Sequence, residues 1–260
     1  KSEKLFGRWL KANPGLRPEI EIQTKAGILL GQGYNGSNYY NSQKEYLKAQ
    51  CNKSLENLQT DTIDIFMIHR PDPYTHPEEI AQSFREMKSA GMVKHFGVSN
   101  MSAAQMKTLQ SAWGGKLKAN QVQLSIGRSG IIRQAFFKNT EQYMLSGQSD
   151  DLLYYLLEQK AELQSWSPFD GGLYLKAPTK NDPPAIRETK QLLALTAEKH
   201  NCSKEAVALA PVFNLPLKTA AVIGTGNPKR IKNTLQALNI QLSRKEIYDL
   251  LIAALGEKLP

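Results

Sequence analysis

Six short apolar runs, near 19–25, 63–69, 93–99, 121–125, 162–167 and 219–223, alternate with segments whose apolar residues recur at helical spacing. That alternation constrains the fold more than any other feature of the sequence. Strands joined through helices lie parallel, and a parallel sheet carries its helices on the outside. The run at 63–69 is apolar in nearly every position, as a strand covered on both faces must be. The intervening patterns predict helices. One over 42–58 is opened by a Ser42/Glu45 capping box and carries Leu47, Cys51, Leu55 and Leu58 on one stripe. Another over 77–90 carries Ile80, Phe84 and Met87 and stops at Gly91. Further helices are expected over 102–113, 150–160, 185–200, 228–238 and 243–255, with one after Ser203 kinked by Pro211. The stretch 126–147 is irregular and reads as a long loop with a short helix. Six strands suit an open doubly wound sheet, whereas a (β/α)8 TIM barrel needs eight.

The opening residues bear on that choice. Lys1 to Phe6 lack an initiator methionine and already follow an amphipathic pattern of Leu5, Phe6, Trp9 and Leu10. The expectation is a barrel whose missing strands lie upstream of Lys1, forming one domain over 1–260. Composition narrows the function class. The chain is 41% hydrophobic and 22% charged, ordinary for a globular enzyme. No signal-peptide pattern opens the sequence as it stands and no apolar run reaches membrane-spanning length, so no membrane partner is expected. With Cys51 and Cys202 the only cysteines, nothing suggests a disulfide framework or zinc site, and a reducing cytoplasm is the expected setting. No metal is expected. The formal charge of +9 comes from basic residues interleaved with acids, a solvated surface rather than a nucleic-acid face. It also suits an anionic cofactor.

Chemistry in parallel α/β folds gathers at the carboxyl ends of strands. Those ends supply Lys25, His69, Ser99, Asn100, Asn120, Gln121, Trp166, Ser167 and the loop Gly224-Thr225-Gly226. The last loop leads into Asn227-Pro228, a capping residue followed by a first-turn proline, with Lys229, Arg230 and Lys232 close behind. Such a helix start offers amides and positive charge to a phosphate.

These residues fall in stretches that resemble the aldo-keto reductase family. The matching segments are Glu21-Ile-Gln-Thr-Lys25, Asp61-Thr-Ile-Asp-Ile-Phe-Met-Ile-His69-Arg-Pro, His95-Phe-Gly-Val-Ser-Asn100, Asn120-Gln-Val-Gln-Leu124, Ser165-Trp-Ser-Pro-Phe-Asp-Gly171 and Ile223-Gly-Thr-Gly-Asn-Pro-Lys-Arg230. They occur in the family's order along the whole chain and are closest to bacterial members with a His-Arg-Pro-Asp-Pro motif. The resemblance implies a (β/α)8 barrel, N-terminally incomplete with about six of its eight strands. It implies NADP(H) as cofactor, with NAD possible, and reduction of an aldehyde or ketone. His69 would orient or polarise the carbonyl, and Lys25 would lower the pKa of a catalytic tyrosine. Ser99, Asn100 and Gln121 would hold the nicotinamide carboxamide, and Trp166 would stack on the ring. Ser167, Phe169 and Gly171 would line the pyrophosphate path. Thr225 and Arg230 would meet the 2′-phosphate, within the loop that includes Gly224 and Gly226.

Several positions depart from the family pattern. The proton-donating tyrosine and its partner aspartate are expected before the opening helix, and Tyr34, Tyr39 and Tyr40 read as exposed loop residues. Gly224 replaces a common lysine, and Asn233-Thr234 stands where a Glu-Asn pair is frequent. Weak or no turnover, exposed strand edges and a monomer or weak homo-oligomer are expected of this chain. Two alternatives remain open: a non-catalytic NADP-binding or interaction module, and a barrel aldolase forming a Schiff base on Lys25.

Overall fold

In the computed structural model, which describes residues 1–141 and 151–260, six strands hydrogen-bond in the order β1 (Gln23–Ala26), β4 (Ile63–Ile68), β5 (Val93–Ser99), β6 (Ala119–Gln123), β7 (Glu162–Trp166) and β8 (Thr219–Val222). The pairs β1–β4, β4–β5 and β7–β8 are parallel. A separate antiparallel hairpin, β2 (Ile28–Leu29) with β3 (Tyr39–Tyr40), is an element the sequence pattern did not foretell. The chain forms two compact units, Lys1–Asn120 and Gln121–Pro260. Among the described residues no helix is long and apolar enough to cross a membrane.

The first unit runs α1 (Ser2–Ala12), β1 (Gln23–Ala26), β2 (Ile28–Leu29), β3 (Tyr39–Tyr40), α2 (Lys44–Leu58), β4 (Ile63–Ile68), α3 (Pro77–Ser89), β5 (Val93–Ser99) and α4 (Ala103–Trp113). Strand β6 (Ala119–Gln123) begins at its end. Every residue of β4 is buried, as its apolar run required. Phe84 of α3 stacks on Phe96 of β5 at 4.0 Å between centroids, and Trp113 of α4 meets both edge-on. Such pairs add about 0.5–1.5 kcal/mol each beyond their area. The Glu3 carboxylate fastens α1 by accepting from Thr24 (2.6 Å), Ser54 (2.8 Å) and Asn57 (3.1 Å).

Two local expectations fail here for identifiable reasons. The strand expected over 19–25 starts only at Gln23, because Pro14–Glu19, with Pro14 and Pro18, winds into a 3-10 segment. Ser42 does not cap α2. The Asp72 carboxylate captures its backbone N–H at 2.9 Å, and its Oγ is buried without a hydrogen-bond partner. The helix begins two residues later, and the Lys44 N–H donates instead to Glu79 of α3 at 3.0 Å. By contrast, Ser102 and Gln105 form a complete capping box at the start of α4.

The second unit contains the rest of β6, then α5 (Gly130–Phe137), α6 (Leu152–Gln159), β7 (Glu162–Trp166), α7 (Pro184–Lys199), α8 (Lys204–Phe213), β8 (Thr219–Val222), α9 (Pro228–Leu235) and α10 (Arg244–Leu255). The short helix expected within 126–147 is α5; the part of that stretch from 142 on, and Asp150, lie outside the described residues. Strand β6 starts and ends two residues earlier than its apolar pattern, since Ser125 turns the chain by accepting the Arg128 N–H at 3.0 Å. Helix α8 runs through Pro211 without the interruption that residue suggested. Leu193, Val207 and Leu250, from α7, α8 and α10, form one fully buried core.

Candidate active site

In the first unit the β1–β4 register sets Lys25 opposite Met67 and Ala26 opposite Ile68. Side chains alternate along strands, so Lys25 and Met67 share a face with His69, two residues beyond Met67. The His69 N–H donates to the Ala26 carbonyl at 2.8 Å, carrying the ladder one step past the strand. Burial, then the Lys25 and Arg70 cations, push the His69 imidazole down to about 4, so the ring is neutral at pH 7. Burial also lowers the Lys25 ammonium from its ordinary value. Strand β5 brings Gly97 opposite Met67 and ends on Ser99, which is buried. Asn100 follows in a left-handed conformation (φ 58°), and its Nδ2 donates to Ser99 Oγ at 2.8 Å and, at 3.4 Å, to the His69 carbonyl. Lys25, His69, Ser99 and Asn100 therefore gather at adjacent strand ends. Asn120 sits behind them, holding the Met101 carbonyl at 2.7 Å.

In the second unit, Gln121 donates from Nε2 to Gln164 at 2.8 Å, and Gln164 in turn donates to Glu162 at 2.8 Å. After Trp166 the backbone takes positive φ at Ser167, Asp170, Gly171 and Gly172. Ser167 and Asp170 pay for that conformation as non-glycine residues, a cost typical of segments that face ligands. Asp170 is held by Ser125 and by Arg128 at 3.1 Å.

A cavity of about 530 Å³ is lined by Ser167, Phe169, Gly171, Gly224, Thr225 and Arg230, all singled out by sequence, and also by Lys176, Glu205 and Thr234. Trp166 and Gly226 lie outside its lining. A Cβ built on Gly171, Gly172 or Gly224 would meet nothing within 4 Å, so these glycines widen the cavity and expose backbone to it. Hydroxyls, bare backbone and two cations are a donor set that fits a phosphorylated dinucleotide. One part of the expected anion site is modified. Asn227 does cap α9, but its Oδ1 consumes the Lys229 and Arg230 amides. The Arg230 and Thr225 side chains, which line the cavity, are the polar groups left at that turn. Glu205 is not marked by the strand-end pattern because it lies on a helix; the Ser203 cap, which orients the first turn of α8, is its one sequence signal.

The sequence matches the description "Aldo/keto reductase family" over residues 1–252. It is 33% identical to the oxidoreductase YcsN of Bacillus subtilis, covering 99% of this chain and 81% of that protein. A 6-dehydroglucose reductase of Agrobacterium fabrum is 30% identical, with 99% and 80% covered. Among solved structures, a glycerol dehydrogenase from Gluconobacter oxydans superposes with a TM-score of 0.81 at 22% identity, over 100% of this chain and 79% of that one. The fold is accordingly an aldo-keto reductase barrel represented by six strands.

Proposed function

Because the chain belongs to the aldo/keto reductase family of oxidoreductases, we propose that it serves NADPH-dependent reduction of an aldehyde or ketone. The observation that carries this reading is the convergence of six sequence-selected residues on one cavity with basic side chains and bare backbone. Arg230 and Thr225 would hold the 2′-phosphate, and Ser167, Phe169 and Gly171 would line the path of the pyrophosphate. Ser99, Asn100 and Gln121 would orient the carboxamide, and Trp166 would stack on the ring. When bound, the reduced nicotinamide supplies a hydride. The neutral His69 ring can donate one hydrogen bond to a carbonyl oxygen, and the Lys25 cation stabilises negative charge developing nearby.

NADPH titration of the 260-residue protein, followed by tryptophan quenching, tests the cofactor assignment. Saturable quenching is expected, with Arg230→Met weakening affinity at least about tenfold through loss of a charge-assisted contact. The absence of saturable binding would sink it. Turnover is expected to be slow even with 6-dehydroglucose, because Tyr34, Tyr39 and Tyr40 are exposed at 88%, 44% and 43% and supply no buried proton donor. A substantial rate that vanishes on replacing one of those tyrosines would overturn that expectation. The lowered Lys25 pKa also favours the Schiff-base aldolase alternative. Borohydride trapping that leaves Lys25 unmodified would exclude it.

A further inference from the structure

We propose that Glu205 reads the base of the bound dinucleotide, accepting the exocyclic amine of an adenine, and so sets the base specificity of the cofactor cavity. This rests on the reading of that cavity as the dinucleotide site. Its lining contains one acid, Glu205, amid Arg230, Lys176, three hydroxyl-bearing residues and glycines. A carboxylate in a cavity built for a polyanion raises the cost of binding unless it meets a hydrogen-bond donor of the ligand. Among the described residues Glu205 is hydrogen-bonded by Asn233 and not ion-paired with Arg230 or Lys176, although both line the same cavity. The cations and the acid therefore serve different parts of the ligand.

The carboxylate's recorded bond is a long one, from Asn233 Nδ2 to Oε1 at 3.4 Å. A carboxylate has about four acceptor sites, so capacity remains for an amine. Two neighbours fix its place. Lys204 donates to the Leu175 carbonyl at 2.7 Å, tying the first turn of α8 to the loop that supplies Leu175 and Lys176. Ser203 caps the same turn through the Ala206 N–H. Phe169 and Leu175 give the cavity apolar surface suited to a flat ring. The Asn233–Glu205 bond ties α9 to α8.

The chemistry predicts a specific discrimination. Adenine offers an N6 amine to the carboxylate, whereas hypoxanthine offers a carbonyl oxygen that the carboxylate repels. Calorimetric titration of the 260-residue protein with NADPH and with its hypoxanthine analogue reads this directly. Wild type should prefer NADPH by at least about tenfold, the scale of a lost hydrogen bond to a charged group. In Glu205→Gln the amide can turn to present either a donor or an acceptor, and the preference should shrink to within about threefold. Equal wild-type affinity for the two analogues would overturn the proposal while leaving the cofactor reading intact, and needs no variant. Full discrimination retained in Glu205→Gln would also overturn it. A wild-type preference for NADH over NADPH that Glu205→Gln abolishes would place the carboxylate on the ribose hydroxyl and overturn it too. No binding of any dinucleotide would overturn the cofactor reading and this inference together.

Discussion

At the scale of single residues, the charge on His69 is set by burial and by the Lys25 and Arg70 cations around it. A histidine closing an apolar run and a lysine closing the previous one follow from strand periodicity. Their electrostatics depend on the β1–β4 register, which puts Lys25 close enough to depress His69. The imidazole titrates at about 4 in the folded chain and near 6.5 when unfolded. The unfolded state therefore binds the proton first, and His69 favours folding at pH above about 6.5 but gives up that contribution as pH falls toward 4. The loss should be about 1–3 kcal/mol after allowance for partial exposure. Denaturant midpoints measured across this range should slope in wild type and flatten in His69→Gln; an unchanged slope would reject the assignment. Lys25→Met removes one of the two cations and should move the His69 titration upward without restoring it fully, since burial is the larger cause. Imidazole NMR shifts followed against pH would show this, and a downward move would contradict the geometry.

At the scale of elements, periodicity located most helices and strands, and caps separated the accurate boundaries from the displaced ones. Ser42 and Ser102 look equivalent in sequence, each followed three positions later by Glu45 or Gln105. Only Ser102 satisfies an amide, because Asp72 from the turn after β4 takes the Ser42 backbone first. Such long-range competition cannot be read from a four-residue motif. Ser102→Ala should cost about 1 kcal/mol of stability. Ser42→Ala should be neutral or stabilising, since it removes a buried hydroxyl with no partner. Urea titration of the two variants distinguishes them, and a larger loss at Ser42 would contradict this account. The helix start at Asn227 teaches the same lesson for function. The Asn-Pro signal correctly marked α9, yet that cap uses the amides the motif was expected to offer to phosphate.

At the scale of the whole molecule, βα alternation pointed to a parallel α/β sheet and the motif resemblance to the barrel family, but neither marked the division into units at Asn120. The catalytic candidates Lys25 and His69 belong to the first unit, and the cavity residues from Ser167 to Arg230 belong to the second. That partition was not legible because both sets sit at strand ends of one continuous alternation. It has a thermodynamic consequence. A ligand bound only by the folded second unit stabilises that unit by about 2.7 kcal/mol at one hundred times its Kd. The compound 2′,5′-ADP contains the phosphates and base assigned to the cavity but no nicotinamide. Hydrogen exchange in its presence should slow amides in the second unit, first around 167–176 and 224–234, and leave those of α2 and α3 unchanged. Arg230→Met should abolish the protection. Absence of protection around 167–176 and 224–234, or protection that survives Arg230→Met, would show that the adenosine end does not engage the Arg230 cavity, and the assignment of cofactor-binding residues would have to be redrawn.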